Sequence, residues 1–172
     1  MSIINPILME MEEEAKRTRR VLERVPEDKL TWKPHPKSFS LGQLAIHIAA
    51  AQGRIARAAA KDIHHIVLTE PPEPKSRKEI LDAFDESQTT AKNTLRNMDG
   101  ARLMATWTGQ LEGKTIVSIP RIVFIRAIML NHIYHHRGQL SVYLRLLDVA
   151  VPSIYGPSAD EKPIPITTTA AA

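Results

Sequence analysis

His132 and His136 stand four residues apart inside the apolar stretch 122–147. In a helix that spacing stacks two side chains one turn apart on one face. A neutral imidazole with a free ring nitrogen is a common protein ligand for borderline transition metals. The pair makes two thirds of a metal site, and a third ligand has to come from another helix. His47 is the candidate, because it lies on the row Leu44, His47, Ala51 at the edge of another apolar stripe. Three imidazoles from two facing helices can share one ion at about 2.0–2.1 Å. Three protein ligands leave a position for water or substrate, the pattern of catalytic rather than structural metal sites. Spacing alone leaves a second reading open, in which the three rings are hydrogen-bonded residues of a core or helix flank. His35, His64 and His65 sit in connections beside Pro or Asp and are read as ordinary residues of that kind.

The chain has no Cys. That excludes disulfides, zinc fingers, iron–sulfur ligation and a protein thiol nucleophile. Any nucleophilic sulfur must therefore arrive with a cosubstrate. With 172 residues, 43% hydrophobic and 24% charged, the chain has the balance of one soluble globular domain able to bury its own core. That domain is expected over 1–166, with 167–172 a flexible tail. The net charge of +4 does not point to nucleic acid. Arg17, Arg19, Arg20 and Arg24 alternate with Glu10, Glu12, Glu13, Glu14 and Glu23, and Glu12/Lys16 and Glu13/Arg17 have the favourable i,i+4 order of a solvated helix face. Four glutamates by position 14 argue against a secretory signal. No run reaches the roughly 18 apolar residues of a membrane span. The cytoplasm is the expected compartment, with no membrane partner.

Four amphipathic helices must position the histidines. The first runs from about Asn5 to Val25, with Ile4, Leu8, Met11, Ala15, Leu22 and Val25 keeping a seven-residue beat and Thr18 in the gap. Pro26 ends it, and the Pro-rich Trp32–Lys37 stretch suits neither a helix interior nor a central strand. The second begins at Ser40, which forms a capping-box signature with Gln43, and ends near Lys61. The third opens on a second such signature, Ser76 and Glu79, and reaches Met98 before the stop at Asp99-Gly100. Residues 101–119 can hold a short strand or a turn of helix. The fourth starts at about Pro120 and runs to Leu147. With Met129 as the centre of its buried stripe and about 100° per residue, His136 falls about 20° and His132 about 60° from that centre. On the same wheel His135 lies outside the stripe and Arg137 at about 80°, which leaves Arg137 to pair with Asp160 or Glu161. No strand pattern is comparably strong, so the expected fold class is all-α, a four-helix bundle.

Two blocks of residues carry a resemblance. One is Asn131-His132-Ile133-Tyr134-His135-His136-Arg137-Gly138-Gln139-Leu140, followed by Tyr143-Leu144-Arg145 and then by 152–161. The other runs from Trp32 through Ser40-Leu41-Gly42-Gln43-Leu44-Ala45-Ile46-His47 to Ile48. Together they closely resemble the DinB family, the damage-inducible helical-bundle proteins rather than the DNA polymerase that shares the name. The likeness covers nearly the whole chain. It implies a four-helix bundle in up-down-down-up order, usually a homodimer, with metal-binding histidines at His47, His132 and His136. It also implies zinc or nickel as the ion. Characterised relatives include transferases and isomerases that use bacillithiol, mycothiol or glutathione.

The leading expectation is a metal-dependent transferase that moves a low-molecular-weight thiol onto a small electrophilic substrate. Gln139 is a candidate to hold a metal-bound water or orient a ligand, and Tyr143 a candidate to line the pocket. The alternatives are a metal-dependent hydrolase, which lacks a carboxylate beside the histidine motif to act as base, and a non-catalytic metal- or ligand-binding bundle of the stress response. A di-iron carboxylate bundle finds little support, because it needs Glu-x-x-His repeats and the sequence has none.

Overall fold

The Ser40–Gln43 capping box closes as its spacing predicts. The Gln43 backbone N–H donates to Ser40 Oγ at 3.0 Å, and the Ser40 N–H donates to Gln43 Oε1 at 3.0 Å. These two bonds satisfy orphan donors at the start of a helix. In this computed structural model, which describes residues 3–162, α1 spans Ile4–Leu22, α2 spans Leu41–Ala59 and α3 spans Arg77–Leu95. The tail expected at 167–172 lies outside the described residues. At α3 only half of the expected box forms. Ser76 Oγ accepts from the Glu79 N–H at 3.1 Å, but the Glu79 carboxylate takes the N–H of Lys75 instead of that of Ser76. The i,i+4 pairs expected on α1 are replaced by Glu13–Lys16 and Glu14–Arg17 at i,i+3, while Glu12 reaches across to Lys92 on α3.

The chain is mostly helical, but it is not all-α. A short helix α4 (Gly100–Met104) leads into a hairpin of β2 (Thr106–Leu111) and β3 (Lys114–Pro120), and β1 (Ile63–His65) pairs parallel to β2. Glu112 and Gly113 form the two-residue turn between Leu111 and Lys114, both at positive φ (48° and 78°). Such a turn matches the twist of an antiparallel pair. Trp107, the bulky residue of the hairpin, donates its Nε1–H to the Ala58 carbonyl at 3.0 Å and pins the sheet to the end of α2. The sheet escaped the periodicity reading because β1 has three residues and β3 alternates apolar and polar over one exposed face.

After Pro120 the backbone enters a single helical rod made of α5 (Arg121–Phe124), a π-helical stretch over Ile125–Leu130, and α6 (Asn131–Leu146). Phe124, Ile125, Leu130 and Asn131 all keep right-handed helical dihedrals, so the rod is continuous. The buried Arg121 serves as a clamp at its base. It donates to the Ala59 and Arg102 carbonyls and pairs with Asp62, tying the C-terminal end of α2 to the rod and to α4. A cation there also suits the negative end of the α2 dipole.

The rod packs on α2 and α1, and α3 packs on α1 and α2. The α2–α3 contact is close because position 53 is glycine. A Cβ there would meet the backbone of Ser87 at 2.9 Å, and the Gly53 N–H donates to Ser87 Oγ at 2.8 Å.

The fully buried residues of α6 are Ile133, Arg137, Leu140 and Leu144. On a wheel centred at Met129 they average about 50° away, toward Arg137. The true centre is displaced because Met129 lies in the π-helical stretch, where each residue turns through less than 100°. His132 and His136 therefore flank the buried face instead of lying inside it.

Candidate metal centre

Arg137, and none of the histidines, is one of the fully buried residues of α6. It is 1% exposed, and its expected pairing with Asp160 or Glu161 is not what forms. The guanidinium donates to the Glu14 carboxylate at 2.6 Å and to Thr18 Oγ1 at 3.0 Å, and also reaches the Tyr155 hydroxyl. Asp160 takes Arg145, and Glu161 takes Arg20 and Arg24. Glu14 is itself 6% exposed on α1. A signal for this pair was present in the sequence. Ile7, Met11, Glu14, Thr18 and Val21 form one row at spacings of four and three, and a carboxylate on a buried row requires a buried cation. This ion pair fixes the rotation of α6 about its axis, which in turn fixes where the histidines on its flank point.

They point at α2. His47 Nε2 lies 2.8 Å from His132 Nε2. The ring centroids are 4.9 Å apart for His47–His132, 4.7 Å for His47–His136 and 4.3 Å for His132–His136. One ligand nitrogen from each ring can be chosen so that all three lie within 4.8 Å of one another. Nitrogens bound tetrahedrally at about 2.0–2.1 Å from one ion sit about 3.3 Å apart. The trio therefore needs only small rotations to close on a metal. His136 is already oriented, because its Nδ1 lies 2.7 Å from Gln139 Oε1. With Nδ1 as the donor in that bond, Nε2 keeps its lone pair. His135 is exposed and belongs to no such group, although its ring lies 4.8 Å from that of His136.

Electrostatics favour the neutral, ligating form. Burial pushes His47 down to about 3 and His132 down to about 4, with the neighbouring imidazoles and the charge of Arg54 adding to the shift. Burial also lowers His136, partly offset by its hydrogen bond to Gln139. Three half-buried lone-pair donors with no carboxylate among them suit a borderline divalent ion such as zinc or nickel better than a hard cation.

A cavity of about 660 Å³ opens beside the trio, with His47 and His132 in its wall. Phe39, Trp107, Phe124 and Ile128 supply apolar surface, and Trp107 stacks on Phe124 with centroids 3.7 Å apart. Tyr143 stands outside this wall. Its hydroxyl donates to the Phe39 carbonyl at 3.4 Å and its ring packs edge-on against Trp32, so it supports Phe39 from behind. Reasoning from sequence missed three charged or titratable residues of the wall: Arg54, His64 and Glu70. Arg54 was legible in principle, since seven residues after His47 is two turns along the same face of α2. His64 and Glu70 were not, because the connection after α2 reaches the cavity only through tertiary contacts. Ser40 Oγ donates to Glu73 at 2.8 Å and Gln43 Nε2 donates to the Pro71 carbonyl at 3.2 Å, holding that connection down.

Known proteins resemble this one in both sequence and fold. A family model described as the DinB superfamily matches residues 10–140. The uncharacterized protein YrdA of Bacillus subtilis (strain 168) is 26% identical over 168 residues, covering 92% of this chain and 91% of that protein. A DinB-like protein from Bacillus cereus ATCC 10987 superposes with a TM-score of 0.69 at 25% identity, over 86% of this chain and 95% of the other. The DinB-like protein YjoA from Bacillus subtilis superposes with a TM-score of 0.67 at 17% identity, over 86% and 96% of the two chains. Among the described residues no helix is long and apolar enough to cross a membrane.

Proposed function

We propose, from the premise that this chain belongs to the DinB superfamily, that it is a metal-dependent transferase joining a low-molecular-weight thiol to a small electrophile. The observation that carries the proposal is the convergence of His47, His132 and His136 beside a largely apolar cavity whose wall includes His47 and His132. The absence of Cys adds to it, since the sulfur must enter as part of a cosubstrate. A divalent ion held by the three imidazoles would supply Lewis acidity and favour the thiolate form of a bound thiol. The chain's own residues do the remaining work. Gln139 holds His136 with Nε2 toward the centre. Phe39, Trp107 and Phe124 exclude water from the place where the sulfur–carbon bond forms and the leaving group departs with its electron pair. The test is conjugation of bacillithiol, mycothiol or glutathione to a panel of electrophiles by tag-free, metal-loaded protein. Product that disappears with chelator and in His47→Ala supports the proposal, and no conjugation with any thiol overturns it.

A second reading has one specific observation behind it. Glu70 brings a carboxylate to the cavity wall that holds His47 and His132, which supplies the general base a metal-dependent hydrolase needs. Ester turnover without thiol that is lost in Glu70→Gln would favour it. The proposal also takes the four long helical segments as an up-down-down-up bundle working as a cytoplasmic homodimer with zinc or nickel. Light scattering at micromolar concentration and elemental analysis test the last two parts.

A further inference from the structure

The cavity has an apolar body and one cationic corner. Its wall is formed mainly by aromatic and aliphatic side chains such as Phe39, Ile55, Trp107, Phe124 and Ile128. Arg54 stands among them. No salt bridge or hydrogen bond engages its guanidinium among the described residues, although Glu70 lies in the same wall. Other arginines that reach into the fold are answered: Arg121 by Asp62 and Arg137 by Glu14. Arg57, three residues further along α2, and Lys61 add positive charge on the same side, and neither has an acidic partner among the described residues. Burial and the charge of Arg57 both act against the Arg54 cation. Arg54 is still exposed at the cavity, so its guanidinium stays open to an anion, and its planar fork suits a carboxylate.

We propose that the cavity takes an amphipathic carboxylate, with Arg54 holding the anionic head and the aromatic wall of Trp107 and Phe124 holding the apolar body. Arg54 and His47 are two helical turns apart, about 10 Å along the axis of α2. Trp107 meets α2 at Ala58, one turn beyond Arg54 on the side away from His47, so a head held at Arg54 sits between the apolar body and the three histidines. This deepens the transferase reading by naming a substrate class for the same cavity, but the binding itself needs neither metal nor turnover.

The test uses the full chain, stripped of metal, with octanoate and its neutral counterpart octanamide as probes in titration calorimetry. Octanoate should bind at least about ten-fold more tightly than octanamide, the effect of one charge-assisted contact. Arg54→Gln should erase that preference, with far-UV circular dichroism unchanged, while Arg57→Gln keeps it. Equal binding of the two probes, no binding of either, or a preference that survives Arg54→Gln overturns the proposal. Octanoate that binds only after zinc is added, and equally well to Arg54→Gln, overturns it too and assigns the carboxylate to the metal. Failure of the thiol-conjugation assay leaves these outcomes untouched, so the two readings fail separately.

Discussion

Lowering the pH from 7.5 to 5.5 will weaken divalent-ion binding by the folded trio by no more than about ten-fold. An imidazole of ordinary pKa, about 6.5, is neutral in only about one molecule in eleven at pH 5.5. Three independent imidazoles of that kind would all be ready to ligate in fewer than one molecule in a thousand, a loss of roughly three orders of magnitude in apparent affinity. Here burial holds His47 near 3 and His132 near 4, so both stay neutral across the whole interval. Their competition with protons begins only as the pH falls through those folded values. His136, lowered by burial but partly held up by Gln139, carries what proton competition remains. One residue with at most the ordinary pKa caps the loss at about ten-fold. The assay is calorimetric titration of zinc into tag-free, metal-free protein at pH 7.5, 6.5 and 5.5, corrected for zinc binding by the buffer. A thousand-fold loss, about 4 kcal/mol, would mean the rings titrate as though exposed to water, and the argument from burial would be wrong.

The same depressed values make the metal-free protein lose stability as the pH falls below about 6.5, because the unfolded chain takes up protons that the folded imidazoles do not. By pH 5.5 the loss should be about 1–3 kcal/mol after discounting for partial exposure, and urea titrations with no decline over that range would contradict it. Gln139→Ala, at an exposed position, should leave thermal stability within about 0.5 kcal/mol of the parent yet weaken zinc binding about 10-fold or more. Unchanged affinity would remove Gln139 as the residue that orients His136. Arg137→Met leaves the buried Glu14 with only Arg17 and the Tyr155 hydroxyl as partners and should cost about 1.5–3 kcal/mol in denaturant unfolding, with Glu14→Gln in the same background recovering part of it. A cost below about 1 kcal/mol would show that the pair does not hold α6 in place. Gly53→Ala gains about 1 kcal/mol of helix propensity but forces α2 away from Ser87, and the net effect should be a loss of about 1–2 kcal/mol in the same measurement. A stabilised variant would mean the two helices can separate freely.

The residues of the metal centre could be read from the sequence because helical spacing is a local property. The four-residue spacing of His132 and His136 fixes their shared face wherever the helix lies, and Ser40 with Gln43 fixes where the helix bearing His47 begins. Helix boundaries came within a few residues for the same reason, since caps and prolines act on the backbone next to them. The β1–β2–β3 sheet could not be read this way. Its first strand exists only because the chain after α2 returns to pair with the hairpin, and three residues carry no periodicity of their own. Arg137 shows the limit most clearly. On a wheel it is a polar residue beside the stripe, and only contact with Glu14, 123 positions earlier, makes it part of the buried face of α6. Spacing along one helix fixes which side chains share a face. What that face meets is decided by other parts of the chain, so the orientation of the histidines, the cavity beside them and the cation at its corner belong to the tertiary structure.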